Sequence, residues 1–208
     1  MSSANPHNTI LAFQNQASCA ESIRVMRPSD QMGEGGSIPT SALQLWVERI
    51  DTEIAIACNG LWHSHLPRLG RGAVRIPFPS FGAVFGGRLY AVAIWSNPAA
   101  RMLPQREWLE LRRLALAPDA PKYTASWMLG VMARLIRREM SHVTTLVSYH
   151  DTSIHCGTVY SAAGWVRDAV TRGKDWRTPS RPCRPCAISL APKVRWLRIL
   201  RVTPQHGK

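Results

Sequence analysis

Residues 108–151 read WLELRRLALAPDAPKYTASWMLGVMARLIRREMSHVTTLVSYHD. Trp108 to Leu116 is a β-rich run, and Pro118-Asp119-Ala120-Pro121 breaks it. Thr124 is the predicted cap of a helix running to about Met140. Met128, Val131, Met132, Leu135 and Ile136 recur at the spacing of one helical face, and Arg134, Arg137 and Arg138 lie toward the other. Val143 to Tyr149 then reads as a second strand. Strand, helix and strand in succession predict a right-handed crossover.

Working outward, Arg75 to Phe85 and Arg88 to Ser96 are two β-rich runs joined by Gly86-Gly87, a hairpin signal. Upstream of them, Leu43 to Ile50 alternates as a strand does, and Asp51 can cap a short helix from Thr52 to about Trp62, ending near Gly60. Downstream, Ser153 to Ala163 is a predicted helix stopped by Gly164, and Trp165 onward adds one or two strands. This order predicts an α/β domain, a mixed sheet flanked by helices. The expected organisation is a flexible arm over 1–40, a catalytic domain over 41–178 and a basic, proline-containing extension over 179–208.

Composition narrows the class. No run of about 18 apolar residues exists, so no membrane helix is expected. The polar start, MSSANPHNTI, lacks the pattern of a secretion signal, and the expected location is the cytoplasm. Five cysteines without such a signal argue against a disulfide framework, and Cys183-Arg-Pro-Cys186 has no second pair to complete a zinc site. The formal net charge is +13. From Trp165 to Lys208 there are 11 Lys or Arg and 2 acids, so 9 of the net charges lie in the last 44 residues. Such clustering favours a polyanion partner over a uniformly solvated surface.

In a sheet of this kind ligands gather at strand carboxyl ends and helix starts. One such place is Lys122, Tyr123, Thr124, Ala125 and Ser126, where first-turn N–H groups, the helix dipole and a lysine make a site for a phosphate-bearing donor. The plainer reading is a capped helix with a surface lysine. The second place is Tyr149-His150-Asp151, followed by His155-Cys156 and then Tyr160, whose hydroxyl can protonate a leaving group. His155 and Cys156 read more simply as helix residues, and Asp151 as a helix cap. His63 and His65 sit in a loop two residues apart. If the fold brings Asp151 beside them, the set resembles a facial triad suited to non-haem iron.

Two resemblances follow. Tyr160-Ser-Ala-Ala-Gly164-Trp165 resembles the Y-x-x-x-G-[F/W] close of the GNAT acyltransferase fold, whose tyrosine commonly acts as general acid toward the thiolate of coenzyme A. The helix start at Thr124 matches the place where that family holds its donor's pyrophosphate. The usual glycine-rich turn is replaced by Ala-Pro-Lys-Tyr-Thr-Ala-Ser, which sets the donor apart from ordinary coenzyme A binding. The departure itself resembles the phage Mom family of DNA adenine-modification proteins, over about Leu43 to Trp176. The motifs are Trp62-His63-Ser64-His65 with Pro67, Glu110-Leu-Arg-Arg-Leu114, Ala120-Pro-Lys-Tyr-Thr-Ala-Ser126, Ser148-Tyr-His-Asp151, His155-Cys-Gly-Thr-Val-Tyr160 and the late Lys193-Val-Arg-Trp196. Where members carry His-Tyr, this chain has His63-Ser64, so no role for that tyrosine carries over.

The resemblance implies a GNAT-like fold that converts adenine to its N6-carbamoylmethyl form and shields phage DNA from restriction nucleases. It implies His63, Asp151 and Tyr160 as active-site residues and an iron ion, for which the spacing reading supplies His63, His65 and Asp151 as candidate ligands. It also implies double-stranded DNA as partner and, for a phage-encoded chain, the host cytoplasm as location; the acyl donor is left unidentified, with acetyl-CoA or a relative as a candidate. Monomer and homodimer are both open. Basic tail residues with Trp165, Trp176 and Trp196 are expected to grip the backbone and displaced bases, against a sheet-core alternative that weighs more for Trp165. Two rivals stand beside this reading. One is an ordinary N-acyltransferase acting on a protein or small amine. The other is a basic DNA-binding protein without catalysis.

Overall fold

The structure is a computed structural model that describes residues 38–63, 78–172 and 189–201. A single 3-10 turn at Ala42–Gln44 opens the described chain. The strands are β1 Trp46–Ile50, β2 Ser80–Phe85, β3 Arg88–Ser96, β4 Trp108–Leu116, β5 Thr145–Asp151, β6 Val166–Thr171 and β7 Lys193–Ile199. The helices are α1 Thr52–Trp62, α2 Thr124–Glu139 and α3 Thr158–Ala162. The strands form one sheet in the order β1-β2-β3-β4-β5-β7-β6. Only β4 and β5 are parallel, joined through α2, and every other pair is antiparallel. The chain is therefore a mixed α/β fold, as the alternation of periodicities predicts.

The two faces of the sheet bury separate cores. Against one, α2 packs Met128, Leu129, Met132, Ala133 and Ile136 onto Trp95, Leu109, Leu111 and Leu146. Against the other, α1 packs Ala55 and Cys58 onto Val84, Leu89, Val92, Ile94 and Ala115. The buried stripe of α2 is turned from the predicted one: Leu129 and Ala133 are inside, and Val131 and Leu135 are only half-buried at its margins. Both stripes satisfy helical spacing, and the position of the sheet decides between them.

Local chemistry sets the element ends. Gly86 and Gly87 take φ of 56° and 76°, the left-handed pair that a two-residue hairpin needs. Asp51 caps α1 as predicted, its carboxylate accepting from the Glu53 and Ile54 N–H groups. The cap of α2 is Tyr123 and not Thr124. Thr124 is already helical and wholly buried, and its hydroxyl donates to the Pro121 carbonyl at 2.7 Å. The predicted helix over 153–163 shrinks to Thr158–Ala162. Asp151 accepts from the Ser153 N–H at 2.9 Å and turns the chain before a helix can start, and Gly157 at φ 78° delays it further. Residues 193–199, set apart by composition as part of an extension, form β7 and pair with β5 along Thr145–Asp151.

Tyr123 holds φ at 68°, a conformation normally left to glycine, and its ring is 80% exposed. A bulky residue held there costs about 1–3 kcal/mol. Tyr123→Gly should therefore raise stability by about 1 kcal/mol and the thermal midpoint by about 2–4 °C in a scanning melt. A lowered midpoint would show that the ring earns its conformation through packing.

Candidate active site

β4 and β5 pair over three positions, Trp108 with Thr145 through Glu110 with Val147, and then part. A bulge begins the separation: Ile94 pairs with Arg113 and Trp95 with Leu111, leaving Arg112 as the extra residue of β4. Below the split, Glu110 is buried and accepts from the Ala99 N–H at 2.7 Å and from Arg112 at 3.3 Å. Burial lifts its carboxyl above the ordinary range, against the pull of those partners. Above the split lies a cavity of about 460 Å³. Its walls are Leu111 to Leu114 and Leu116 of β4, Ser148 to Asp151 of β5, the 154–160 segment, Ala125 of α2 and His63.

Tyr160 is buried in this wall. Its hydroxyl shares a 2.9 Å hydrogen bond with the Ser148 hydroxyl. Its ring stacks on Trp196 at 5.5 Å and meets Trp165 edge-on at 5.6 Å. Burial raises the phenol above its ordinary value of 10.0, so the group carries its proton at neutral pH. Asp151 lies at the other end of the wall. Partial desolvation pushes its carboxyl up, but hydrogen bonds from Ser153 and Ser189 and the charge of Lys193 outweigh this and hold it below the usual range. His63 ends α1, its N–H bonded to the Asn59 carbonyl at 2.9 Å, and it faces the cavity from the opposite side. Three predicted residues, His63, Asp151 and Tyr160, thus line one cavity. His65 lies outside the described residues. Among the described residues no three His, Cys, Asp or Glu side chains converge on a metal position. Of the expected iron ligands, His63 and Asp151 fall among the described residues, and both line the cavity.

The five residues at the start of α2 are placed differently. Ala125 lines the cavity. The hydroxyls of Thr124 and Ser126, two of the residues expected at the donor site, donate to the carbonyls of Pro121 and Tyr123. Lys122 and Tyr123 are exposed. Of the first-turn N–H groups of α2, that of Thr124 bonds the Pro121 carbonyl at 3.3 Å, and helix N-termini in general leave such groups available to anions. Ser126 belongs to a second depression of about 380 Å³, lined also by Arg134, Arg137 and Arg198. The tryptophans expected to grip bases are core: Trp165 is 4% and Trp196 6% exposed, and Trp176 lies outside the described residues.

One cavity residue, His150, was named in the sequence only within Tyr149-His150-Asp151 and given no role of its own. His150 is buried, accepts at Nδ1 from the Trp196 indole N–H at 2.6 Å, and stacks at 6.2 Å on Tyr160. Desolvation, followed by the charge of His155, lowers its basicity, so it is neutral at pH 7. Alternation along β5 was the available signal, since it puts His150 on the same face as Ser148. Cys156 is exposed at the rim, where hydrogen bonds from Thr158 lower its thiol.

Among curated proteins none matches the chain. Solved structures match in fold at low identity. The Escherichia coli ribosomal-protein-S18-alanine N-acetyltransferase is 12% identical at a TM-score of 0.55, over 79% of this chain and 99% of that one. A Bacillus subtilis acetyltransferase in complex with CoA is 14% identical at 0.52, over 74% and 98%. A Salmonella typhimurium acetyltransferase candidate, with its cofactor acetyl-CoA, is 10% identical at 0.55, over 77% and 96%. These place the chain in the GNAT fold. A sequence model of the Mom protein family matches residues 44–178, which hold the strand split, Asp151, Tyr160 and most of the cavity wall, and the chain belongs to that family.

Proposed function

We propose that this chain is a transferase that modifies adenine in double-stranded DNA, converting it to N6-carbamoylmethyladenine and so protecting the DNA from restriction nucleases. The observation that carries the reading is the cavity between the parted strands, with a buried, proton-bearing Tyr160 in its wall, in a chain of the Mom family. Its volume suits a base together with the reactive end of a donor. The exocyclic amine is a weak nucleophile, so it needs an activated donor and fixed placement. A duplex adenine must leave the stack to arrive there.

In this mechanism N6 attacks the electrophilic carbon of the donor. The bond from that carbon to the leaving group breaks, and Tyr160 delivers its proton to the departing atom. The proton lost from N6 passes to ionised Asp151 or to His63. Acetyl-CoA would leave an acetyl group on N6, so the donor of this reaction carries a carbamoylmethyl group whose CH2 carbon bears the leaving atom, and its anionic part rests at the first turn of α2, where helix N–H groups favour anions. The basic tail holds the DNA backbone, and the protein works in the cytoplasm of the host cell.

A second reading, N-acyl transfer to a protein or small amine, is favoured by the solved neighbours that carry CoA or acetyl-CoA. Restriction digestion separates the two. Plasmid from cells expressing the chain should resist nucleases that cut at adenine-containing sites, and plasmid from cells expressing Tyr160→Phe should be cut. Full sensitivity in both, with soluble protein present, favours the second reading.

A further inference from the structure

The two ring nitrogens of His150 have different surroundings. Nδ1 accepts from the Trp196 indole N–H at 2.6 Å. An indole nitrogen donates and cannot accept. Nδ1 is therefore the bare nitrogen, and the proton of the neutral imidazole resides on Nε2. Packing holds this arrangement in place. The ring sits 5.9 Å from Trp196 and 6.2 Å from Tyr160, centroid to centroid. Gly157 closes over it so tightly that a Cβ would come within 2.6 Å of Trp196 and 2.7 Å of His150. The ring cannot turn without moving both neighbours. Among the described residues Nε2 bonds to no protein group, and His150 lines the cavity. A fixed N–H in a cavity wall calls for an acceptor on whatever fills the cavity.

We propose that His150 is a neutral hydrogen-bond donor to the substrate, presenting Nε2–H to the carbonyl oxygen of the transferred group, and that Trp196 fixes this role by occupying Nδ1. The assignment rests on the cavity being the transfer site. It separates His150 from the general bases: to take up a proton, the ring would have to carry hydrogen on Nδ1, facing the indole N–H head-on. A neutral N–H donor polarises a carbonyl without handing over its proton. The proton balance of the transfer is then left to Tyr160 and to the group that deprotonates N6.

The test has two arms. In protein labelled with 15N-histidine, long-range proton–nitrogen spectra at pH 7 should show one histidine, absent from His150→Gln, as the pure Nε2–H tautomer. Trp196→Phe should turn that signal into a mixture of tautomers. In the second arm, rates of adenine modification are compared. Gln supplies an amide N–H near the Nε2 position and no base, so His150→Gln should stay within about tenfold of the unaltered chain, and His150→Ala should fall about 100-fold. An Nδ1–H tautomer, an imidazolium at pH 7, or a Gln variant as slow as the Ala variant overturns the proposal. An unaltered chain that leaves DNA unmodified while showing the Nε2–H tautomer would sink the transfer reading, and this assignment with it.

Discussion

Tyr160→Phe should slow adenine modification by about 100-fold or more while the chain stays folded, because a positioned acid contributes about 10²–10⁴ in rate. The ring keeps its stacking on Trp196 and its edge contact with Trp165, so packing is retained. What is lost is the hydroxyl and its bond to the buried Ser148, which costs about 1–3 kcal/mol. Adding Ser148→Ala removes the orphaned partner. The double variant should regain most of the stability and none of the rate. A Phe variant that modifies DNA at the original rate would remove Tyr160 from the chemistry. The same residue sets an alkaline boundary. Burial lifts its folded-state value above 10.0, so the proton stays in place through pH 10. Between the two values only the unfolded chain gives up the proton. The stability tied to Tyr160 is thus fully present below pH 10 and declines above it. A pH–rate profile should show no descending limb from this group below pH 10.

The second large effect falls on Gly157. Its φ of 78° is a left-handed conformation that costs any side chain about 1–3 kcal/mol. A Cβ would also meet Trp196 at 2.6 Å and His150 at 2.7 Å. Both are ring atoms in a packed wall, and overpacking of that kind adds about 1–3 kcal/mol. Gly157→Ala should therefore lose about 2–6 kcal/mol in urea unfolding. It should also change the near-ultraviolet dichroism of the tryptophans. A loss below about 1 kcal/mol would mean that the rings give way easily. Gly60 serves as a control, since a Cβ there meets nothing within 4 Å.

The crossover from Trp108 to Asp151 was legible because its signals are local: a proline break, a helical stripe and strands of ordinary length. The Gly86-Gly87 hairpin was legible for the same reason. The order of strands was not. Asp151 ends β5 and meets Lys193 of β7, so β7 enters between β5 and β6 through pairing 42 residues apart in number. No local pattern encodes such a pairing. Within the site, Tyr160 and Asp151 were visible through motif and spacing. His150 was named beside them without a role, because that role depends on Trp196, 46 residues away. Thr124 misled because threonine is a common helix cap, and here its hydroxyl had a nearer acceptor in the Pro121 carbonyl. Trp165 and Trp196 were readable as either base platforms or core, and only the sheet, by burying them, decides.

The most direct test of the transferase assignment is mass spectrometry of nucleosides from plasmid DNA of cells expressing the chain, beside cells expressing Tyr160→Phe. A heavier deoxyadenosine, with the mass of the carbamoylmethyl group added, should accompany the unaltered chain and be nearly absent with the variant. Deoxyadenosine left at its ordinary mass, in cells holding soluble and folded protein, would contradict DNA modification.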